Sequence, residues 1–213
     1  MVPRLVLALS IGLRLLLLVG LFAAPSLHQA FAGDIASSVD ASALPKKKQT
    51  PAGLYLTPKD AHEALEQDPS IVFIDVRDPI EVSFIGHAAS MDANIPLATA
   101  THKFDPNKGA YQMQPNKAFL AQVKAAIAAA DGGKDTPVFL MCRSGARSAV
   151  AARILLKAGY TNVWNIVEGF EGDKDKKTGT RSVNGWRNAE LPWEYKIPAT
   201  KAWSAEAEAP KSE

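Results

Sequence analysis

Hydrophobic positions follow two alternating patterns through the middle of the chain. Apolar runs at 71–74 and 137–141 predict buried strands, the first continuously apolar as in strands covered on both faces, and the largely apolar run at 163–166 predicts a third strand. Between them lie segments in which apolar residues recur every three or four positions, a spacing typical of helices. The resulting order β-α-β-α-β predicts an α/β domain with a mainly parallel central sheet and helices on both faces.

Capping residues mark where the predicted helices begin and end. Thr57 can cap the first helix, with Pro58 at its first position and Asp60 placed for reciprocal capping. Asn116 can cap the second helix, and the third runs over 148–158 and ends before a glycine. The residues predicted to face the core are Ala61, Ala64 and Leu65 in the first helix, Phe119, Val123 and Ile127 in the second, and Val150, Ile154 and Leu155 in the third.

The amino-terminal end has the pattern of an export signal. Residues 1–32 hold Arg4 and Arg14 but no acidic residue, and they end in Ala-Phe-Ala, a small-residue pattern that signal peptidase accepts. A transmembrane anchor is the alternative, but Arg14 interrupts the stretch of about 20 apolar residues that a bilayer crossing needs. We therefore expect a cleaved secretory signal. The protein would be periplasmic or secreted and would meet a membrane only through an uncleaved signal.

The rest of the chain divides into one domain flanked by two polar segments. Residues 33–53 include the cluster Lys46-Lys47-Lys48 and show no sustained periodicity, which is typical of a linker. Residues 198–213 alternate alanine with charged residues and predict a flexible tail. A structured domain of about residues 54–197 lies between these two segments.

Composition and charge narrow the possible function classes. The chain has 213 residues, of which 47% are hydrophobic, enough for one domain with a buried core. It carries 24 basic and 22 acidic residues, and the two signal arginines account for the excess, so nucleic acid is not an expected partner. One cysteine excludes an internal disulfide framework and a multi-cysteine metal cluster. We expect neither a metal nor a cofactor.

The single cysteine stands where a sheet of this kind binds ligands. Cys142 follows the strand at 137–141 and precedes the third helix, and ligands bind where strand carboxyl ends meet helix amino ends. Gly145 permits a tight turn whose backbone N–H groups, with the helix amino end, form an anion cradle. The positive potential there favours a thiolate at Cys142. The candidate site is the run Cys142, Arg143, Ser144, Gly145, Ala146, Arg147 and Ser148.

The neighbours of Cys142 indicate a reactive rather than an inert cysteine. Arg143 and Arg147 can add charge and directed donors for an anionic substrate, whereas an inert buried thiol needs no nearby cations. Ser144 and Ser148 can either donate hydrogen bonds around the sulfur or cap the helix, and the sequence leaves both roles open. The loop holds no acidic residue that could protonate a leaving group.

This loop resembles the active-site loop of the rhodanese (thiosulfate sulfurtransferase) family. Further stretches similar to the family's signatures are Asp75-Val76-Arg77 with Glu81, Gly86-His87-Ala88, Asn94-Ile95-Pro96, Val167-Glu168-Gly169-Phe170 and Gly185-Trp186. The resemblance covers about residues 54–195 and implies the rhodanese-like three-layer fold. It also implies a sulfurtransferase that moves a sulfane sulfur from thiosulfate or a persulfide donor to a thiophilic acceptor, such as a protein thiol. The sulfur would pass through a persulfide on Cys142.

The resemblance also implies supporting residues and shows departures. Asp75 and Arg77 are expected to pair and brace the loop, with Arg77 alternatively facing the anion site. Glu168 stands where the family has the first of two glycines. Added loops at 97–114 and 173–181 could border the pocket and change the choice of substrate or partner.

Two other functions stay open at this point. The added loops suggest a non-turnover persulfide carrier or protein-binding module in a periplasmic sulfur or redox pathway. A phosphatase or arsenate-reductase-like enzyme is less favoured, because related phosphatases carry one residue more between cysteine and arginine than the four from Arg143 to Ala146. Disulfide exchange is also less favoured, since it usually needs a second, resolving cysteine.

Overall fold

The computed structural model describes residues 35–205 of the chain. The predicted signal at 1–32 and residues 206–213 of the predicted tail therefore lie outside the described residues. Among residues 35–205, no helix combines the length and the apolar character that crossing a membrane requires.

The predicted strands and helices form, with shifts of a few residues at their ends. The strands are β1 (Tyr55–Leu56), β2 (Val72–Asp75), β3 (His87–Ala88), β4 (Ala93–Asn94), β5 (Ala98–Asp105), β6 (Ala110–Pro115), β7 (Val138–Met141), β8 (Val163–Ile166) and β9 (Trp193–Glu194). The helices are α1 (Pro58–Gln67), α2 (Pro79–Ile85), α3 (Phe119–Ala129) and α4 (Ala146–Lys157). The three apolar runs of the sequence correspond to β2, β7 and β8.

A parallel five-stranded sheet organises the domain. Its strand order is β1-β8-β7-β2-β4, and each pairing within it is parallel. β7 therefore lies at the centre of the sheet, with β2 paired to it on one side and β8 on the other. Because parallel strands end at the same edge, the residue after β7 emerges between the carboxyl ends of two neighbours. That residue is Cys142.

The sheet is covered on both faces, as the continuous apolar runs predict. Along β7, Val138 and Leu140 pack into one core and Phe139 and Met141 into the other. The first core includes residues of α3 and α4, and the second includes Ala61 of α1 together with aromatic residues that follow β8. The structure thus confirms the α/β class and the three-layer arrangement of helix, sheet and helix.

The helix ends follow the capping predictions in part. Thr57 caps α1 through its side chain, as predicted. The oxygen of the Asn116 side chain accepts from the Ala118 N–H, so Asn116 shapes the turn before α3 rather than capping the helix itself. The prediction that Val150 faces inward is wrong, because Ala149 and Ala152 occupy the buried face of α4 instead. These small side chains allow a helix to approach a sheet closely.

The segment predicted as a linker packs against the domain. Residues 35–53 contain two short 3-10 turns, Ala41–Ala43 and Lys46–Lys48. Lys48 is only 4% exposed, and its ammonium group lies 2.9 Å from the Asp173 carboxylate. A buried lysine needs such a partner, which makes the ordered segment a part of the domain. A linker as predicted from the sequence would leave Lys48 in solvent, whereas the structure buries it.

The carboxyl-terminal segment and the two added loops are also ordered in the described residues. The backbone oxygen of Lys201 accepts from the Asn94 N–H, which fastens residues 198–205 to the edge strand β4. The added loop at 97–114 forms an antiparallel hairpin of β5 and β6. The loop at 173–181 is a turn held by Asp175, whose side chain accepts from backbone N–H groups of Lys177 and Thr178.

Candidate active site

The loop after β7 points two hydrogen-bond donors at the sulfur of Cys142. The Gly145 backbone N–H lies 3.2 Å from Sγ, and the Ser148 hydroxyl lies 3.3 Å from it. Gly145 has a φ of 89°, and a Cβ at this position would collide with the backbone oxygen of Val167. The tight turn predicted at Gly145 is thus present and requires glycine. The loop leads directly into α4, so the helix amino end faces the same sulfur.

A buried polar chain extends from this sulfur to the amino-terminal segment. The Ser148 hydroxyl lies 2.7 Å from Oδ1 of Asn165, a fully buried residue of β8. The Asn165 amide nitrogen donates to the backbone oxygens of Gly145 and Lys48. These two donations fix Oδ1 as the acceptor for Ser148. A serine hydroxyl has one hydrogen, so Asn165 and an ionised Cys142 compete for it.

Asn165 belongs to none of the motifs named above, although its place in a buried strand is a sequence feature that could have identified it. It is the one polar residue of strand β8, whose other three residues are apolar. A polar side chain at such a position must find partners, because an unpaired buried amide is costly. Two of its partners are backbone carbonyls, and one of these lies in a segment remote in sequence. The sequence could therefore have flagged Asn165 but not its contacts.

Arg147 pairs with an acidic residue of α2. Its guanidinium makes two hydrogen bonds of 2.5 and 2.7 Å to the carboxylate of Glu81. Burial acts to raise the Glu81 pKa, but the hydrogen bonds and charge of Arg147, then the charge of Arg77, hold this pKa below its usual range. Glu81 also accepts from the Asp78 N–H and so completes a capping box at the start of α2. Arg147 thus ties α4 to α2.

Lowering the pH is expected to weaken this link. A carboxylate with a folded-state pKa below its unfolded value stabilises the fold above the unfolded pKa, and this contribution disappears as the pH falls through the folded pKa. At about pH 7, Glu81→Gln should lower the free energy of unfolding by about 1–3 kcal/mol. This difference from the wild type should shrink between about pH 5 and about pH 3, as followed by urea unfolding.

The matched control for this prediction is Glu63→Gln. Glu63 is an exposed residue of α1 and makes no ion pair among residues 35–205. It should leave the free energy of unfolding almost unchanged at either pH. A stability gap between wild type and Glu81→Gln that stays constant across this pH range would contradict the assigned role of Glu81.

Asp75 and Arg77 form a fully buried ion pair behind the loop. The Arg77 guanidinium donates to both Asp75 carboxylate oxygens at 2.6–3.0 Å and to the backbone oxygen of Gly86 at 2.8 Å. It also lies 4.3 Å above the ring of Phe170. The adjacent Val76 N–H donates to the backbone oxygen of Met141, the residue before Cys142. Arg77 therefore faces the interior and does not line the cleft at Cys142.

A cleft of about 580 Å³ opens over Cys142. Exposed Arg143 and half-buried Ser144 line it beside the sulfur, and Lys47 and Arg181 add positive charge from the amino-terminal segment and the loop at 173–181. Burial lowers the pKa of Arg181 first, and the nearby charge of Arg143 lowers it further. The remaining wall comes from α2 and the hairpin of β5 and β6. The added loops at 97–114 and 173–181 thus border the pocket, as the sequence suggested, whereas the hairpin form of the first loop was not predicted.

His87, the histidine of the Gly86-His87-Ala88 stretch, does not line this cleft. His87 is fully buried, with Nδ1 3.0 Å from the backbone oxygen of Ala88 and Nε2 3.3 Å from that of Lys196. This hydrogen-bonded position agrees with a structural histidine rather than a base. Within the described range 35–205, no group of three or more His, Cys, Asp or Glu side chains is arranged to hold a metal ion.

The family model for the rhodanese-like domain matches residues 57–176, more than half of the chain and including the whole Cys142 loop. The chain belongs to the rhodanese-like family. Glu168, which stands where the family has a glycine, turns its carboxylate to the Gly185 N–H at 3.0 Å. The following Gly169 is required, because a Cβ there would collide with the backbone oxygen of Cys142. The turn after β8 therefore accommodates glutamate at position 168 but needs glycine at position 169.

Three proteins are similar to parts of this chain. The crystal structure of Rv0390 from M. tuberculosis is 33% identical, covers 67% of this chain and 97% of its own, and gives a TM-score of 0.50. Thiosulfate sulfurtransferase 16, chloroplastic, of Arabidopsis thaliana is 37% identical over 98 residues, which is 46% of this chain and 69% of that protein. An uncharacterized protein of Rickettsia prowazekii is 43% identical over 61 residues, or 29% of this chain. The chain spans 44% of the length of this rickettsial relative.

Proposed function

We propose that this protein is a sulfurtransferase that accepts a sulfane sulfur on Cys142 and passes it to a thiophilic acceptor. The observation that carries the proposal is the Gly145 backbone N–H, which lies 3.2 Å from Sγ where the loop enters the amino end of α4. A fixed backbone donor at a helix amino end stabilises a sulfur anion without a neighbouring base. The Ser148 hydroxyl, 3.3 Å from Sγ, can add a second hydrogen bond when its hydrogen turns from Asn165 to the sulfur. Membership of the rhodanese-like family and the name of the Arabidopsis relative support the same activity.

The first half of the reaction loads the sulfur. The Cys142 thiolate attacks the outer sulfur of thiosulfate or of a persulfide donor. A bond forms between Sγ and that sulfur, the bond to the donor breaks, and its electron pair leaves with sulfite or with the donor thiolate. The Cys142 persulfide keeps a single negative charge. Backbone N–H groups of the loop from Arg143 to Ala146 and the α4 amino end are the groups proposed to hold it.

The second half of the reaction returns the thiolate. A thiol or cyanide acceptor attacks the outer persulfide sulfur, its bond to Sγ breaks, and the electron pair stays on Cys142. The cycle needs no second cysteine, and the chain has only one. Arg143 is proposed to attract the anionic donor, because its side chain is exposed at the cleft beside the sulfur. Arg147 contributes through its link to Glu81.

The short loop favours sulfur transfer over phosphate ester hydrolysis. Four residues separate Cys142 from Arg147, and the loop turns tightly enough for the Gly145 N–H to reach Sγ itself. A phosphatase needs N–H groups spread around a tetrahedral phosphate. It also needs an acid for the leaving group, and Glu81, an acidic residue of the cleft wall, is already paired with Arg147.

A carrier role is the second candidate function. Cys142 is only 1% exposed, so a persulfide on it would be shielded from bulk solvent. Such shielding would keep the persulfide from reacting with small molecules before a specific acceptor binds. In this case loading by a donor would be complete while steady-state turnover with small acceptors stayed slow. For either role, we propose a periplasmic or secreted location on the basis of the signal pattern at 1–32.

Incubation of the full-length protein with excess thiosulfate tests the proposal. We expect one sulfite released per protein and a mass gain of about 32 Da, located on the peptide that contains Cys142. Cyanide should then remove the added mass and yield thiocyanate. Protein alkylated beforehand at Cys142 is the control and should gain nothing. Failure of thiosulfate and of polysulfide alike to add sulfur would overturn the proposal.

A further inference from the structure

Large, exposed apolar side chains lie on α2 and on the hairpin of β5 and β6, which form part of the cleft wall. Ile80 and Phe84 lie one turn apart on α2, and Tyr111 and Met113 lie on one face of β6. Phe104 of β5 packs edge-on against Tyr111. These five residues, the apolar rim, are between 45% and 80% exposed. Soluble proteins rarely leave large clusters of apolar side chains uncovered, and three of these residues, Ile80, Tyr111 and Met113, line one cleft.

Three positively charged side chains line the same cleft. Lys47, Arg143 and Arg181 line the cleft, and among residues 35–205 none of the three forms an ion pair within 4.0 Å of an acidic side chain. Asp78 and Glu81, the acidic residues of the cleft wall, are engaged elsewhere, Asp78 with backbone N–H groups and Glu81 with Arg147. The cleft at Cys142 is therefore lined by exposed apolar side chains and by unpaired cations together.

The size of the cleft distinguishes between kinds of acceptor. A cyanide or thiosulfate ion would fill a small part of about 580 Å³. Phe84 and Phe104, the outer residues of the apolar rim, do not line the cleft, so an ion bound in it would leave them uncovered. An acceptor that covers the apolar rim and also pairs with the cations must be larger than a free thiol and must combine apolar with acidic groups.

We infer that the apolar rim and the three cations dock a segment of a partner protein in which a cysteine lies between acidic and apolar residues. This inference rests on the proposed sulfur transfer and names its acceptor. The partner thiolate attacks the outer sulfur of the Cys142 persulfide and forms a new S–S bond. The bond to Sγ breaks with its electron pair on Cys142, so the partner leaves as the persulfide and no net oxidation occurs.

Synthetic peptides with one central cysteine provide the probe. The first peptide flanks the cysteine with Leu, Phe, Asp and Glu, the second replaces its acidic residues with Lys, and the third replaces its apolar residues with Ser. Full-length protein is loaded with thiosulfate, and the about 32 Da transferred to each peptide is followed in single turnovers. We expect the first peptide to react at least about tenfold faster than the other two and than free cysteine.

Two matched variants locate the surface. Phe104 and Tyr195 are 55% and 57% exposed, and each packs edge-on against one other aromatic ring. Phe104→Ser should slow transfer to the first peptide about fivefold or more, whereas Tyr195→Ser, outside the cleft mouth, should not. Turnover with cyanide should stay near the wild-type value in both variants, because the small ion does not reach either side chain.

The outcomes separate this inference from the proposed function. Absence of a persulfide before any peptide is added would overturn the sulfur transfer itself. Normal loading followed by equal rates for all peptides and free cysteine would overturn only the docking surface. An equal loss of transfer rate to the first peptide in Phe104→Ser and Tyr195→Ser would also overturn only the docking surface. A wild-type dimer that Phe104→Ser converts to a monomer in sedimentation experiments would assign the rim to a second copy instead.

Discussion

Cys142→Ser is expected to abolish thiosulfate-dependent sulfur transfer, with a fall in kcat/KM of about a thousandfold or more. A serine hydroxyl keeps the size of the side chain but ionises far too weakly to attack sulfur. No other residue can take over, since the chain has one cysteine. The measurement is thiocyanate formation from thiosulfate and cyanide, together with the mass of the protein after incubation with thiosulfate.

The fold of this variant must be intact for the result to count. Cys142 packs in the core formed by α3, α4 and one face of the sheet. A serine hydroxyl at this position can therefore lower the free energy of unfolding. Thermal unfolding of Cys142→Ser and of the apolar Cys142→Ala should both show a cooperative transition above the assay temperature. Sulfur transfer retained in either folded variant would refute a role for Cys142 as the nucleophile.

Asp75→Ala is expected to destabilise the protein by about 3–5 kcal/mol, the largest effect on stability of the substitutions discussed. Asp75 and Arg77 are both fully buried, and removal of the carboxylate leaves a guanidinium without its counter-charge. The backbone N–H of Arg77 also loses its acceptor on Asp75. Urea unfolding followed by circular dichroism measures the loss.

A double-mutant cycle tests whether the pair rather than the position causes this loss. Asp75→Leu and Arg77→Met should each be strongly destabilising, and the double variant should cost clearly less than their sum. Met can follow the Arg77 side chain over the ring of Phe170. Additive losses would show that the two residues act independently and that the ion pair is not the stabilising unit.

The part of the fold that the sequence determines locally was predictable. β2, β7 and β8 are rich in apolar residues because both their faces are covered, and such runs are evident without knowledge of their partners. Thr57 caps α1 through contacts within four residues. Gly145 was identifiable because the loop between a strand and a helix demands a conformation that glycine adopts easily.

Features that depend on distant contacts were not predictable. Lys48 looks solvated in sequence, and only its pairing with Asp173 explains its burial. The added loop was expected to be able to border the pocket, but its hairpin form and its attachment to Asp78, which accepts from the Ala100 N–H, depend on residues distant in sequence. Arg147 was expected to face a ligand, and its link to Glu81 depends on where α2 packs. In each case the partner lies far along the chain and follows no periodic pattern.

The attachment of the amino-terminal segment to Asn165 has a consequence for how this protein tolerates change. Asn165 holds Lys48 by its backbone carbonyl, and every residue type offers the same carbonyl. Replacement of the Lys48 side chain would break its ion pair with Asp173 but leave this hydrogen bond in place. The hydrogen bond therefore depends on the backbone path of the segment and not on the residue type at position 48. Substitutions can accumulate across 35–53 while the segment still reaches the residue that orients Ser148 beneath the sulfur.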